Sequence, residues 1–288
     1  MLQYLQELTH SSTKRQLLHW ANFLTRGGHV RIHVFAACRN EELLLPYFLR
    51  HYGSFADRMF IFDDRSTDRS RALIEAHPHA ECITGVPVYS DADHKVSDDI
   101  LLALKNAAYK SSRGKADWVM VVDIDEFVYH PDLTELLSQY GAQGITLPEI
   151  QGFEMVSECP PFTDGQIYQE IRRGFRNPWY SKCAVFDPAL EINYLPGSHA
   201  CVPTGLVRRS EGIELKLLHY RFLGEDYFCG RYATRQASLS ATNLDNNWGT
   251  LLSVPGRTGG LTIHNCSLEE LRARYRQILG EQSIEKVV

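Results

Sequence analysis

The chain has 288 residues, 44% hydrophobic and 23% charged, an ordinary globular balance that supports one large domain or a domain with a small appendage. A formal net charge of -5 and a pI near 6.2 argue against a broad nucleic-acid-binding or anionic-membrane surface, so no nucleic-acid partner is expected. A small or neutral molecule is the favoured partner.

In chain order, Leu2, Leu5 and Leu8, then Leu17, Leu18, Phe23 and Leu24, predict two short amphipathic helices interrupted near Ser11 and Ser12 and closed by Gly27 and Gly28. They form an N-terminal extension over 1–29, expected to pack on the domain or on a partner subunit and so to offer a route to an oligomer. "VRIHVFAAC" reads as a buried strand. A polar corner at Arg39 and Asn40 follows, then a helix from Glu41 to about Tyr52 that tolerates Pro46 near its start. The cycle repeats with strand "RMFIF", turn "DDRSTD" and helix "RSRALIEAH", which Pro78 halts. A third strand, "AECITGVPV", a helix from Ser97 through Ser111 closed by Gly114, and a fourth strand, "WVMVV", complete the series.

Strands and helices alternating at this spacing predict an α/β fold, a mostly parallel sheet with helices on both faces. Ligands in such sheets sit at the carboxyl ends of strands. "CRNE", "DDRSTD" and "DIDEF" all fall there, so three separate pieces of sequence would converge on one crevice. Beyond Pro131 come a helix "DLTELLSQYG", a strand in "ITLPEIQGFEMVSE", and a Pro- and Gly-rich stretch from Cys159 to Trp179 read as a loop or lid. Strands return in "SKCAVFD", "HACVPTGLV" and "IELKLLHYRF", with helices from about Glu225 to Ala241 and from Leu268 to Leu279. One mixed α/β domain over 30–242 is preferred, followed by a tail with a helix over 243–288.

Seven cysteines, Cys38, Cys82, Cys159, Cys183, Cys201, Cys229 and Cys266, show no CxxC pair, and an odd number cannot pair fully within one chain. A reducing cytoplasm is the expected setting. No apolar run approaches a bilayer span and the N-terminal stretch is too polar for a signal peptide, so membrane contact, if any, would be peripheral.

The sharpest chemical signal is "WVMVVDIDEF", an apolar strand that ends in three carboxylates. Buried carboxylates repel one another and lose hydration, which a bound cation would offset. On a continuing strand Asp123 and Asp125 share a face. That pair suits an oxygen-seeking divalent ion, Mg²⁺ or Mn²⁺, which keeps sites for water and phosphate. A helix-capping or solvated turn cluster is the plainer alternative. In "FDDRST", Ser66 or Thr67 can cap the next helix, which leaves Asp63 and Asp64 free to accept bonds from a nucleobase or ribose. Arg39 to Glu41 pose the same choice between helix charge matching and ligand contact.

Taken together, "CRNEELLLPYFLRHY", "IFDDRSTDRS" and "WVMVVDIDEF" resemble the nucleotide-sugar-binding half of GT-A fold glycosyltransferases, in the family-2-like group that also resembles family 92. Weaker likeness through "SKCAVFDP", "GSHAC" and "LLHYRF" extends it over roughly Arg31 to Arg235. The resemblance implies a Rossmann-like GT-A fold in which Asn40, Glu41 and Asp64, beside Arg39, border the nucleoside. It implies that Asp123 lies near the ribose or metal and that Asp125 binds the metal bridging the diphosphate. His219, or else His199, would complete the metal site, with a structural role as the alternative for each. Lys182 and Arg221 would pair with phosphate oxygens unless they are solvated surface groups.

An inverting transferase also needs a carboxylate to take the acceptor proton. The "ED" pair of family 2 proper is not clearly present, and Glu154 or the pair Glu225 and Asp226 are the candidates. Trp179 and Tyr180 could support sugar rings or simply anchor the loop. The expected activity is transfer of a hexose from a UDP-sugar to a saccharide or glycan-precursor hydroxyl, with Mn²⁺ or Mg²⁺, in polysaccharide or glycoconjugate synthesis. The alternatives are a haloacid-dehalogenase-type phosphatase, which also carries a DxD at a strand end, and a non-catalytic nucleotide- or carbohydrate-binding module.

Overall fold

The computed structural model describes residues 28–88, 95–252, 261–262, 264–281 and 284–288. The two helices expected within 1–29 lie outside the described residues.

Strand β1 (Ile32–Cys38) is buried along its whole length, as a strand covered on both faces must be. Helix α1 (Leu45–Gly53) follows it, then β2 (Arg58–Asp63), α2 (Ser70–Glu75), β3 (Ala80–Ile83), α3 (Asp98–Ala108) and β4 (Trp118–Asp123). The order in the sheet is β3-β2-β1-β4, all parallel, with the short strand β8 (Val185–Phe186) antiparallel on the far side of β4. Register sets Cys38 beside Asp63 and Ala37 beside Asp123. The acidic ends of β2 and β4 therefore flank the end of β1, as the sequence predicts.

After β4 the chain turns through Ile124 and Asp125 into β5 (Glu126–Tyr129), which belongs to a second sheet. Helix α4 (Leu133–Ala142) leads to β6 (Ile150–Ser157), and helix α5 (Ile167–Glu170) to β7 (Arg173–Arg176). Strands β9 (Glu191–Tyr194) and β10 (Cys201–Thr204) form an antiparallel hairpin. Strand β11 (Leu215–Leu223) then inserts between β6, to which it runs parallel, and β5, to which it runs antiparallel. His219 is thereby set in register with Glu154 on one side and Glu126 on the other. The DxD turn thus sits where the chain passes from one sheet to the other.

The main core lies between these sheets and their helices. At its centre Tyr52 donates to the Glu126 carbonyl at 2.9 Å and accepts from the Val128 N–H at 3.0 Å, tying α1 to β5. A second cluster gathers Phe175, Phe222 and Phe228 with Tyr275 and Ile278. These come from β7, β11, helix α6 (Glu225–Ala237) and the last helix, Leu268–Glu281; the short helix α7 (Ala241–Asp245) lies between the two helices in sequence.

Several expectations are corrected. The helix after β1 begins at Leu45 rather than Glu41, with Pro46 in its first turn, where a missing N–H has no helical partner to lose. The third strand ends at Ile83, and the stretch from Cys159 to Trp179 is not plain loop but contains α5 and β7. Cys183 and Cys201 form a disulfide, which removes cysteine scatter as a reason to expect a reducing compartment. Among the described residues no helix is long and apolar enough to cross a membrane.

Candidate functional site

Three carboxylates at the end of β4 are offset by the protein's own cations. Lys105, on α3, places Nζ 2.8 Å from Asp123 Oδ1. The buried Lys182 lies 2.6 Å from Glu126 Oε1 and 3.7 Å from Asp123 Oδ2. Glu126 in turn accepts from the Asp123 N–H at 2.9 Å, closing the turn. Burial opposes ionisation of Asp123, but Lys105 and then Lys182 outweigh it and hold the carboxyl well below the usual range. For Lys182 burial opposes the charge, and Glu126 and Asp123 restore it.

His219 joins this group from β11. Its Nε2 is 3.3 Å from Asp125 Oδ2 and its Nδ1 is 3.0 Å from Glu154 Oε2. Burial disfavours the imidazolium, yet Glu154 and Asp125 together raise its pKa to about 9. Glu154 is fully buried, ion-paired with Arg221 and bonded to Asn177 Nδ2 at 3.2 Å. Tyr180 lies over the His219 ring at 4.2 Å between centroids, and its backbone comes so close to Gly152 that a β-carbon there would collide with it.

Arg231 reaches in from α6. Its guanidinium donates to both Glu41 oxygens at 2.8 and 2.9 Å and to Asp125 Oδ2 at 3.0 Å. Burial raises the Glu41 pKa, Arg231 opposes the rise and Asp125 adds to it. Burial also opposes ionisation of Asp125, but His219 and Arg231 leave it strongly acidic.

These groups face a cavity of about 340 Å³ that Asp98, Arg235 and Trp248 also line. Trp179, 53% exposed, stands edge-on to His199 at 5.9 Å, and Tyr180 flanks the same imidazole at 5.0 Å. Burial, followed by Lys182 and Arg221, lowers the His199 pKa to about 3. An aromatic rim beside a charged floor offers flat apolar faces next to groups that bind phosphate.

The sequence-predicted residues divide into two sets. Glu41, Asp123, Asp125, His199, His219, Arg221, Trp179 and Tyr180 all line the cavity. Asn40 does not; its side-chain oxygen accepts from the Thr67 N–H at 2.7 Å and ties the β1 corner to the β2 corner. Asp64 is buried between Arg39 at 3.5 Å and Arg65 at 3.4 Å. Lys182, buried rather than solvated, is not among the lining residues and pairs with Glu126 and Asp123.

None of the three carboxylates expected to serve as base reaches the cavity. Glu154 sits behind His219, while Glu225 and Asp226 pair with Arg276 and Arg272 of the last helix at 2.7 Å each. The Glu225–Asp226 pair looks free in the sequence because its partners lie some fifty residues away. Lys105, Arg231 and Asp98 were missed for the same reason, since no local motif marks a side chain whose partner comes from another element.

Among the described residues no three His, Cys, Asp or Glu side chains form a ready-made metal cage. The donor set nevertheless fits a divalent ion that takes its remaining ligands from substrate and water. Adjacent ligands of an octahedral ion at about 2.1 Å lie about 3 Å apart, close to the 3.3 Å between Asp125 Oδ2 and His219 Nε2. A carboxylate behind the other ring nitrogen, here Glu154, is the usual support of a metal-binding histidine.

No family model matches the chain, and no curated protein does. Among solved structures it is similar to glucosyl-3-phosphoglycerate synthase from Mycobacterium tuberculosis, in complex with Mn²⁺, UDP and glucosyl-3-phosphoglycerate. That match has 19% identity, covers 45% of each chain and has a TM-score of 0.30. The same enzyme with Mg²⁺ and UDP gives 19% identity over 47% of each chain and a TM-score of 0.31. S. aureus TarS gives 10% identity over 88% of this chain and 42% of that one, with a TM-score of 0.36. In each case the match spans less than half of the solved protein, and scores this low carry no functional assignment.

Proposed function

We propose that this chain is a metal-dependent glycosyltransferase of GT-A type that moves a hexose, with inversion, from a UDP-sugar to a saccharide or glycan-precursor hydroxyl, in polysaccharide or glycoconjugate synthesis. The observation that carries the reading is the meeting of Asp123, Asp125 and His219 with Lys105 and Arg231 at the carboxyl ends of parallel strands, beside a cavity with an aromatic rim. Acidic groups alone would repel a diphosphate. Acidic groups able to hold a divalent ion, flanked by cations, instead suit one.

In this reading Asp125 and His219 hold Mn²⁺ or Mg²⁺, with Glu154 keeping the imidazole oriented. The bound ion would neutralise charge that develops on the departing diphosphate. Lys105 and Arg231 supply fixed positive charge on either side of the DxD turn, so the leaving group meets a preorganised field. Asp123, ionised by its two lysines, is an acceptor suited to ribose hydroxyls. Trp179 and Tyr180 wall the space for sugar and keep water away from it.

Calorimetric titration of UDP with and without Mn²⁺, with GDP as control, tests the donor site; UDP release from UDP-sugars tests turnover. Metal-dependent UDP binding together with UDP release supports the enzyme, and binding without release would instead support the non-catalytic module. Absence of binding by either nucleotide would end the transferase reading and favour the phosphatase.

A further inference from the structure

Among the described residues four carboxylates line the cavity: Glu41, Asp98, Asp123 and Asp125. Three are engaged by cations, Glu41 and Asp125 by Arg231 and Asp123 by Lys105. Asp123 and Asp125 are held ionised by their cations, which makes them poor proton acceptors, and Glu41 has both of its oxygens occupied by the Arg231 guanidinium. Asp98 differs, because no cation among the described residues pairs with it.

Instead Asp98 is clamped by neutral groups. Asn243 Nδ2 donates to Asp98 Oδ1 at 3.2 Å, while Asn243 Oδ1 accepts from the Asp98 N–H at 2.8 Å. Asn243 is anchored in turn, its N–H donating to Ser240 Oγ at 3.1 Å, and Ser240 Oγ donates to Ser97 Oγ at 3.2 Å. Ser97, Ser240 and Asn243 are all buried, and Asp98 is 7% exposed. Burying this many polar groups is tolerated only because each satisfies another. The result is a carboxylate fixed in direction but not neutralised.

Its place along α3 is equally specific. Asp98 and Lys105 are seven residues apart, two turns of one helix face and about 10 Å along its axis. Both line the cavity and Lys105 holds Asp123 of the DxD turn, so Asp98 lies about two helical turns from that contact along α3. Inverting displacement needs its base and its leaving group on opposite sides of the reacting carbon, with room for a sugar ring between them.

We infer that Asp98 is the general base of the transfer, a role that rests on the transferase reading above. The acceptor hydroxyl oxygen bonds to the anomeric carbon as the bond from that carbon to the diphosphate oxygen breaks. The bonding pair leaves with the nucleoside diphosphate, and the hydroxyl proton passes to the Asp98 carboxylate, which later returns it to solvent. Asn243 is a positioning residue for that carboxylate.

The test uses the full chain with Mn²⁺ and UDP-glucose, UDP-galactose and UDP-N-acetylglucosamine as donors, reading UDP release and UDP affinity. Asp98→Asn, which keeps an acceptor for Asn243, is expected to lower kcat by about 10²–10⁴-fold with UDP affinity unchanged. In Asp98→Ala, added formate should restore part of the rate, a response that a merely structural role would not produce. Asp98→Glu, with a carboxylate kept but displaced, should fall between wild type and Asp98→Asn. Near-wild-type turnover in Asp98→Asn would overturn the assignment and leave the transferase reading standing. Loss of UDP affinity in proportion to rate would also overturn it, making Asp98 a donor contact. A wild-type chain that neither binds UDP nor releases it from any donor would overturn both.

Discussion

Arg231 donates to Asp125 across 3.0 Å while its other donors engage Glu41, so one guanidinium from α6 joins the loop after β1 to the turn after β4. Replacing it with Met would leave Glu41 and Asp125 facing each other in a site largely shielded from water. Breaking such a pair costs about 3–5 kcal/mol when fully buried, and the partial exposure of Arg231 reduces this to about 1–3 kcal/mol. Glu41 already binds protons more readily than usual, and losing its cation would strengthen that tendency. Native Arg231→Met would then hold more protons than the native wild type, so its deficit in thermal stability should widen as pH rises beyond the ordinary glutamate value of about 4.3 and past the already raised range of the wild-type Glu41. A deficit independent of pH would mean that Arg231 acts by packing alone.

Asp125→Asn preserves shape and removes charge. In calorimetry, Mn²⁺-dependent UDP binding should weaken at least about tenfold, and UDP release should fall by about 10²–10³-fold, the scale of losing one electrostatic stabiliser of a leaving group. Arg231 keeps Glu41 and His219 keeps Glu154, so the circular dichroism spectrum should remain native. Unchanged metal-dependent binding would remove Asp125 from the metal site.

The Cys183–Cys201 disulfide joins the segment after Tyr180 and Lys182 to the strand after His199. It closes a loop with a sequence separation of 18 residues, for which the chain-entropy estimate is about 3 kcal/mol. Cys201→Ser, or reduction of the wild type, should lower the melting temperature. Weaker donor turnover should accompany the loss, because both tethered segments line or back the cavity. Equal melting temperatures with and without reductant would show that the bond does not stabilise the native chain.

His51 is buried in α1, with Nε2 3.0 Å from the Val128 carbonyl, and burial lowers its pKa to about 4 despite that bond. The unfolded chain takes up this proton near the ordinary value of about 6.5, so between about 6.5 and 4 it binds more protons than the native state. Stability is therefore fully present above about 6.5 and is lost as pH falls, by about 3 kcal/mol from this residue once pH is below 4. His51→Gln should lose that share of the slope in denaturant titrations run across the interval. A slope equal to that of the wild type would assign the acid sensitivity to other groups.

The strands β1, β2 and β4 were legible because a strand buried on both faces must be apolar throughout, a property of a few consecutive residues. The acidic ends were legible for a related reason, since a break from apolar to charged marks a strand end wherever it occurs. Parallel order followed from the alternating helices, and with it the convergence of "CRNE", "DDRSTD" and "DIDEF" on one edge. His219 could be nominated through the resemblance of "LLHYRF" to the glycosyltransferases, but not its pairing with Glu154 and Asp125.

What only the tertiary structure decided is which charge meets which. Lys105 reaches Asp123 from the preceding helix, Arg231 reaches Glu41 from 190 residues away, and Asn243 holds Asp98 from 145 residues away. The same packing took Glu225 and Asp226 out of the cavity by setting Arg276 and Arg272 against them. Hydrophobic periodicity is a local record of which face is buried, and the sequence by itself carried it. Ion pairing depends on a few ångströms between side chains of separate elements, a distance that exists only once those elements have packed.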